Sequence, residues 1–419
     1  MRHLFDQYNH PENRLTHALV SSLANDERLL RDFLRWAVNA KFSLKERLYV
    51  VEQSVPGEAE LKEDVAGKRG LPDAWIYNDK GWALLIESKI AAKLELGQLK
   101  RHIYTANKHG FIKPKLLTIE VAARKGRLLP NIYNKTWQEI YEWGRKYLNK
   151  SKWANLLTSY FEVAEAKMVE EKYLKEGALT KFTGIPFSSE HPYSYFEAKR
   201  LLGLVINELK NNKKLIRELK IDPHLPTRAA ITGQQSSYVW DYLRIQESKK
   251  VKAFTKYPHL TLGIHAEFVN IGLTIPNGVK NEIRNRLFEL EYPDFMKVFS
   301  DLVSSSEKII ALDKAVKPFT NLLQRHYHSQ RSLPTEDASL SFDFRTAFKQ
   351  KTKVTEKYQP EWLKTIYDIM RSKRSNLQFQ VGFEISYKDS RIIGTPKAIN
   401  LFEESLFALK PILDLILNR

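Results

Sequence analysis

Two acids and a lysine interrupt an otherwise apolar stretch, GLPDAWIYNDKGWALLIESK, at residues 70–89. Asp73 and Glu87 stand fourteen positions apart, and Lys89 follows two after Glu87. Asp79-Lys80-Gly81 suits a three-residue hairpin loop, a type I turn closed by a glycine in the left-handed region. Side chains alternate along a strand, so loop length decides which of them share a face. In that register Asn78 faces Trp82, and Asp73 lies opposite Glu87 with Cβ atoms about 4.5–5.5 Å apart. Lys89 shares the face of Glu87. A four-residue loop would send the two acids to opposite faces.

Two carboxylates this close repel one another, and something must compensate. A water-exposed pair tolerates the repulsion, but Leu71, Ala74, Trp75, Ile76, Leu84, Leu85 and Ile86 argue against an exposed setting. A hard divalent cation bridging the acids removes the conflict, and a site of oxygen ligands suits Mg²⁺, with Mn²⁺ able to substitute. Beside such an ion Lys89 would stabilise developing negative charge or orient an attacking water. The other reading of Lys89 is a plain salt-bridge partner.

Three further features bear on the choice. Glu12 precedes Leu15 and Leu19 by three and seven residues, so it projects near their apolar stripe. It is equally an acid favoured by a helix dipole. Gln98 lies beside the apolar face of the next helix. Beyond it comes a basic run of Arg101, His102, Lys108, His109, Lys113, Lys115, Arg124, Lys125 and Arg127, with Glu120 the one acid in residues 101–127. A solvated face has this composition, and so does a rim that receives a phosphodiester backbone.

The elements that must position these residues read as follows. Apolar spacing predicts helix from Pro11 through Ala37, carried by Leu15, Leu19, Leu23, Leu30, Phe33 and Leu34. Strands are expected at 47–55, 71–78 and 82–90, a helix at 94–109, and a strand at 114–122. The order is α-β-β-β-α-β, an α/β unit. Helices over 136–148 and 153–174 follow. Gly, Pro and Ser collect in KFTGIPFSSEHPYS, residues 181–194, the expected linker between a unit of residues 1–180 and one of 195–419. Past it, a helix at 194–219, alternating strands at 259–268 and 377–388 and an apolar closing helix at 399–417 predict an α+β domain.

Taken together, the first unit resembles the PD-(D/E)XK nuclease superfamily, which has a restriction-endonuclease-like fold. Pro72-Asp73 matches its PD, Glu87-Ser88-Lys89 its ExK, and the αβββαβ order its core. PENRLTHAL and GLPDAWI…LLIESKIAAKLELGQLKRH look like the variety with a helical Glu before the core and a Gln on the second helix, common in prokaryotic defence and restriction-like proteins. The likeness covers about residues 9–146. It implies Asp73, Glu87 and the Ser88 carbonyl as metal ligands, Glu12 as a further ligand, Lys89 as the catalytic lysine and Gln98 as an orienting residue. It implies endonucleolytic hydrolysis of DNA, leaving 5′-phosphate and 3′-hydroxyl ends. Alternatives are an RNA nuclease and a non-cleaving nucleic-acid-binding sensor on the same scaffold.

Composition sets the outer bounds. A formal charge of +18 over 419 residues favours polyanionic partners. Arg101, Lys108, Lys113, Lys115, Arg124, Lys125 and Arg127 are the expected nucleic-acid contacts. The absence of cysteine excludes disulfides and thiolate zinc sites. No apolar run reaches the length of a membrane span and the opening residues lack a secretory apolar core, so a cytoplasmic protein is expected. Cutting both strands of a duplex would favour a homodimer, and residues 195–419 are expected to recognise sequence, sense a protein or ligand activator, or dimerise.

Overall fold

A computed structural model of the chain describes residues 4–5, 11–54, 56, 71–90, 94–123, 130–225, 237–250, 254–328, 334–349, 357–372 and 376–418. The chain is an α/β protein of two compact units, residues 1–181 and 182–419, each with its own core.

In the first unit the order is α1 (Pro11–Ala24), α2 (Glu27–Val38), β1 (Tyr49–Glu52), β2 (Ala74–Tyr77), β3 (Ala83–Ser88), α3 (Leu96–Lys108), β4 (Lys115–Glu120), β5 (Ile132–Thr136), α4 (Trp137–Arg145) and α5 (Lys152–Glu170). The strands form one sheet in the order β1-β2-β3-β4-β5. The first three pair antiparallel, and β4 and β5 add on in parallel. Alternation along β3 feeds two cores. Leu84 and Ile86 join Leu15, Leu19, Phe33, Trp137 and Phe161 from α1, α2, α4 and α5 on one face. Ala83 and Leu85 join Trp75, Leu99 and Ala106 beneath α3 on the other.

Three departures from the sequence reading have local causes. The long first helix is two, because Asp26 caps α2 by accepting a hydrogen bond from the Leu29 amide at 2.9 Å. β5 was not anticipated. Its residues, IYNKT, bury only the two ends, and the strand exists through parallel pairing of Leu116 with Ile132 and of Thr118 with Asn134. The stretch expected as a linker carries no helix or strand over 182–194, yet Phe182, Ile185 and Phe187 are buried in the second core. The Ile185 amide donates to the Ile393 carbonyl at 2.8 Å.

The second unit contains α6 (Tyr195–Asn211), α7 (Lys213–Glu218), β6 (Tyr238–Leu243), β7 (His259–His265), β8 (Phe268–Ile275), α8 (Asn281–Phe288), α9 (Tyr292–Leu312), β9 (Val316–Tyr327), β10 (Pro334–Phe342), α10 (Pro360–Ser372), β11 (Leu377–Ser386), α11 (Ala398–Ala408) and α12 (Lys410–Leu417). Its six strands form an antiparallel sheet ordered β10-β9-β11-β8-β7-β6. Leu377, Phe379, Val381, Phe383 and Ile385 of β11 point into the core, as their alternation predicts. The intervening Gln380 bonds Thr274 at 3.0 Å and Asn321 at 3.2 Å, so the opposite face is polar. β6, β8, β9 and β10 were not anticipated. No helix among the described residues is long and apolar enough to cross a membrane.

Candidate active site

The hairpin takes the three-residue loop. Ala74 pairs with Ile86 and Tyr77 with Ala83, the Asn78 amide donates to the Trp82 carbonyl at 3.1 Å, and Gly81 has φ +82°. Asp73 and Glu87 lie one residue beyond the last pair, Ala74 with Ile86, and Glu87 is on the α3 face of the sheet.

Glu87 is 1% exposed and accepts from three side chains. Gln98 Nε2 and Lys89 Nζ reach its Oε1 at 2.7 and 2.8 Å, and His102 Nε2 reaches Oε2 at 3.1 Å. An ionised carboxylate only accepts, so His102 carries its proton on Nε2. Its other ring nitrogen is buried without a hydrogen-bond partner among the described residues. Burial pushes the Glu87 carboxyl up, but the His102 hydrogen bond and the Lys89 ammonium outweigh it and hold Glu87 below the usual carboxylate range.

Asp73 behaves oppositely. Burial first, and then the charge of Glu87, raise it to about 7, against the smaller opposing effects of Lys89 and Ser88. Its Oδ2 accepts from the Ser88 amide at 2.7 Å and from the Ser88 hydroxyl at 2.9 Å. Oδ1 accepts no hydrogen bond among the described residues. The Ser88 hydroxyl also lies 2.7 Å from Thr16 Oγ1, which ties α1 to the end of β3.

These groups fit a hydrated divalent cation. The two carboxylates are of opposite tendency, Asp73 keeps one oxygen without a hydrogen bond among the described residues, and its raised carboxyl marks a place where added positive charge is favourable. Among the described residues no three acid or imidazole groups gather into a full ligand set. Mg²⁺ characteristically takes one or two carboxylates and keeps waters, so two acids suffice. The Ser88 carbonyl is available at the same strand end. Glu12 lies in the first turn of α1, four residues before Thr16, and its side chain is outside the described residues.

His102, read from sequence only as one member of a basic run, is the residue that reasoning missed. The signal was present: Gln98 and His102 are four apart on one helix, so they share a face. The basic run itself is divided. α3 begins beside the acids and leads away from them, and the Ile112 amide donates to the Gly81 carbonyl at 2.8 Å, at the turn end of the hairpin. Lys108 and Lys113 therefore lie toward that end. Lys115 is set opposite Leu84, three residues before Glu87, and its Nζ donates to the Val38 carbonyl at 2.8 Å. The expectation that these three rim the acids is corrected. A helix running back along its strand carries each later residue about 1.5 Å farther from its start. Arg101 sits on the turn that also carries Gln98 and His102, and is exposed. Arg124, Lys125 and Arg127 are outside the described residues. No protein-family model matches the chain, and comparison with curated proteins finds no significant match.

Proposed function

We propose that residues 1–181 form a restriction-endonuclease-like unit that hydrolyses phosphodiester bonds with Mg²⁺, with DNA favoured over RNA as substrate. The observation that carries this reading is a hairpin that sets Asp73 and Glu87 one residue beyond the Ala74–Ile86 pair, with Asp73 bonded to Ser88 at 2.7 Å and Lys89 Nζ 2.8 Å from Glu87. Asp73 and Glu87, with the Ser88 carbonyl, would hold the ion. Bound there, Mg²⁺ supplies a water of lowered pKa and neutralises phosphate charge. Gln98 and His102 fix the Glu87 carboxylate and keep it ionised. Ser88 fixes Asp73, and Thr16 fixes Ser88. Lys89, whose ammonium lies 2.8 Å from Glu87, would set positive charge beside the phosphate as negative charge develops there. The +18 charge supports a polyanionic substrate.

The second unit is suited to recognition or activation. It holds a cavity of about 390 Å³ lined by Phe268, Lys314, Lys317, Arg345, Glu384 and Asp389, among others. Homodimerisation belongs to the same proposal where duplex is cut.

The test is cleavage of labelled DNA and RNA by the full chain with Mg²⁺. Wild type is expected to cut DNA, and Lys89→Ala to lose cutting while keeping its melting temperature. Equal rates in the two proteins would overturn the assignment. One second reading has an observation in its favour. Glu87 is already satisfied by three internal donors, as in a purely structural network, which fits a scaffold that binds nucleic acid without cutting. Metal-independent binding with no hydrolysis would select it.

A further inference from the structure

α3 has two different sides. Gln98, Leu99, His102 and Ala106 turn inward, two onto Glu87 and two into the core. Leu96, Lys100, Tyr104 and Lys108 recur every four residues and are all exposed, with Arg101 beside them. Tyr104 is 70% exposed, and Leu96 53%. Residues 96–108 contain no acid, and the nearest one along the chain is Glu95 at the N-cap. The side chains of Lys100, Arg101, Tyr104 and Lys108 make no hydrogen bond, ion pair or ring contact among the described residues. Three cations and a large ring are thus held out on one helix face with no partner among the described residues.

We propose that this face of α3 is a track for single-stranded nucleic acid, in which Lys100, Arg101 and Lys108 hold phosphates and Tyr104 stacks on an unpaired base. Charge selects a polyanion. The ring between the cations selects a single strand, because a duplex presents sugar and phosphate outward while its base planes are already stacked. An aromatic side chain accepts any base through its π-face, so the track is tolerant of sequence. From Lys100 to Lys108 the helix spans about 12 Å, enough to follow a few nucleotides. The track is continuous with the candidate site, since α3 meets Glu87 through Gln98 and His102 and leads outward from there. The inference rests on the nuclease reading for its purpose, but its binding step needs no metal and no cleavage.

The experiment measures fluorescence anisotropy of labelled oligonucleotides with the full chain in EDTA. Wild type is expected to bind a mixed-sequence single strand more tightly than the corresponding duplex and than an acidic peptide. Tyr104→Ala should weaken single-strand binding about ten-fold, and Tyr104→Phe should leave it near wild type. Lys100→Ala with Lys108→Ala should reduce the slope of log affinity against log salt by about 1.4, the release expected for two single-strand phosphates. All four side chains are exposed, and unchanged melting curves would show the variants folded. A duplex preference, tighter binding of the acidic peptide, or Tyr104→Ala equal to wild type would overturn the track. Cleavage assays in Mg²⁺ separate the two readings. Single-strand binding through Tyr104 without any hydrolysis overturns the nuclease and leaves the track standing, whereas cleavage with a duplex preference does the reverse.

Discussion

Asp73 and Glu87 flank the same end of the hairpin, yet their carboxyls are displaced in opposite directions, and that asymmetry makes the site sensitive to pH. An unfolded aspartate titrates near 3.9. In the fold Asp73 titrates at about 7. Between those values the folded protein holds a proton that the unfolded chain has released. The contribution of Asp73 to stability is therefore complete below about pH 4 and is lost as pH rises through 7. Denaturant midpoints measured in EDTA should fall from pH 5 to pH 8, and Asp73→Asn should flatten that fall. Protons and Mg²⁺ compete for this carboxylate, so Mg²⁺ affinity by calorimetry should rise with pH and level off above about 7. A pH-independent affinity would remove Asp73 from the ligand set. His102 acts on the site through Glu87. Loss of such an outer partner usually costs about 10–100-fold in metal affinity. His102→Ala should raise the Mg²⁺ concentration for half-maximal cleavage by that factor.

The hairpin is the element that brings the acids together, and its loop depends on one backbone conformation. Gly81 has φ +82°, and a Cβ built there meets nothing nearer than 3.7 Å. A side chain at this position is penalised by conformation and not by space. Gly81→Ala should cost about 1–2 kcal/mol, read as a lower melting temperature, with the cleavage rate little changed because the loop is at the far end of the strands from the acids. This element was legible in the sequence. Its loop and apolar runs are local, and local patterns fix register, although the strands, Ala74–Tyr77 and Ala83–Ser88, are shorter than the expected 71–78 and 82–90. β5 was not legible, because IYNKT lacks alternation and owes its extended form to its neighbour β4. The basic run misled for a related reason. Sequence proximity to Gln98 does not survive a helix that leads away from the acids.

At the scale of the whole chain, the first unit's sheet with a core on each face and the second unit's separate core imply two independently cooperative bodies. The second depends on a close approach of strands at Gly272 and Gly382. A Cβ on Gly382 would lie 2.1 Å from the Ile271 carbonyl oxygen and 2.5 Å from Gly272 Cα, and backbone cannot yield there. Gly382→Ala should destabilise the second unit by about 3 kcal/mol, within the usual range for overpacking. Calorimetry of the full chain should show one transition lowered and the other unmoved, with Mg²⁺-dependent cleavage by the first unit retained. Displacement of both transitions would show that the units unfold as one.

What the sequence determined by itself is the part written in neighbouring residues. The spacing of Asp73, Gly81, Glu87 and Lys89 specifies a hairpin with convergent acids, and the periodicity at 96–108 specifies a helix. The alternation at 377–387 specifies a strand with one buried face. Tertiary structure decided which of those residues meet. His102 became a partner of Glu87, and Thr16 of Ser88, only when α3 and α1 packed on opposite faces of the sheet. Lys108, Lys113 and Lys115 were carried toward its other end by the same packing. Local chemistry sets the shape of each element, whereas burial of its apolar face sets where that element lies, and the site is built from both.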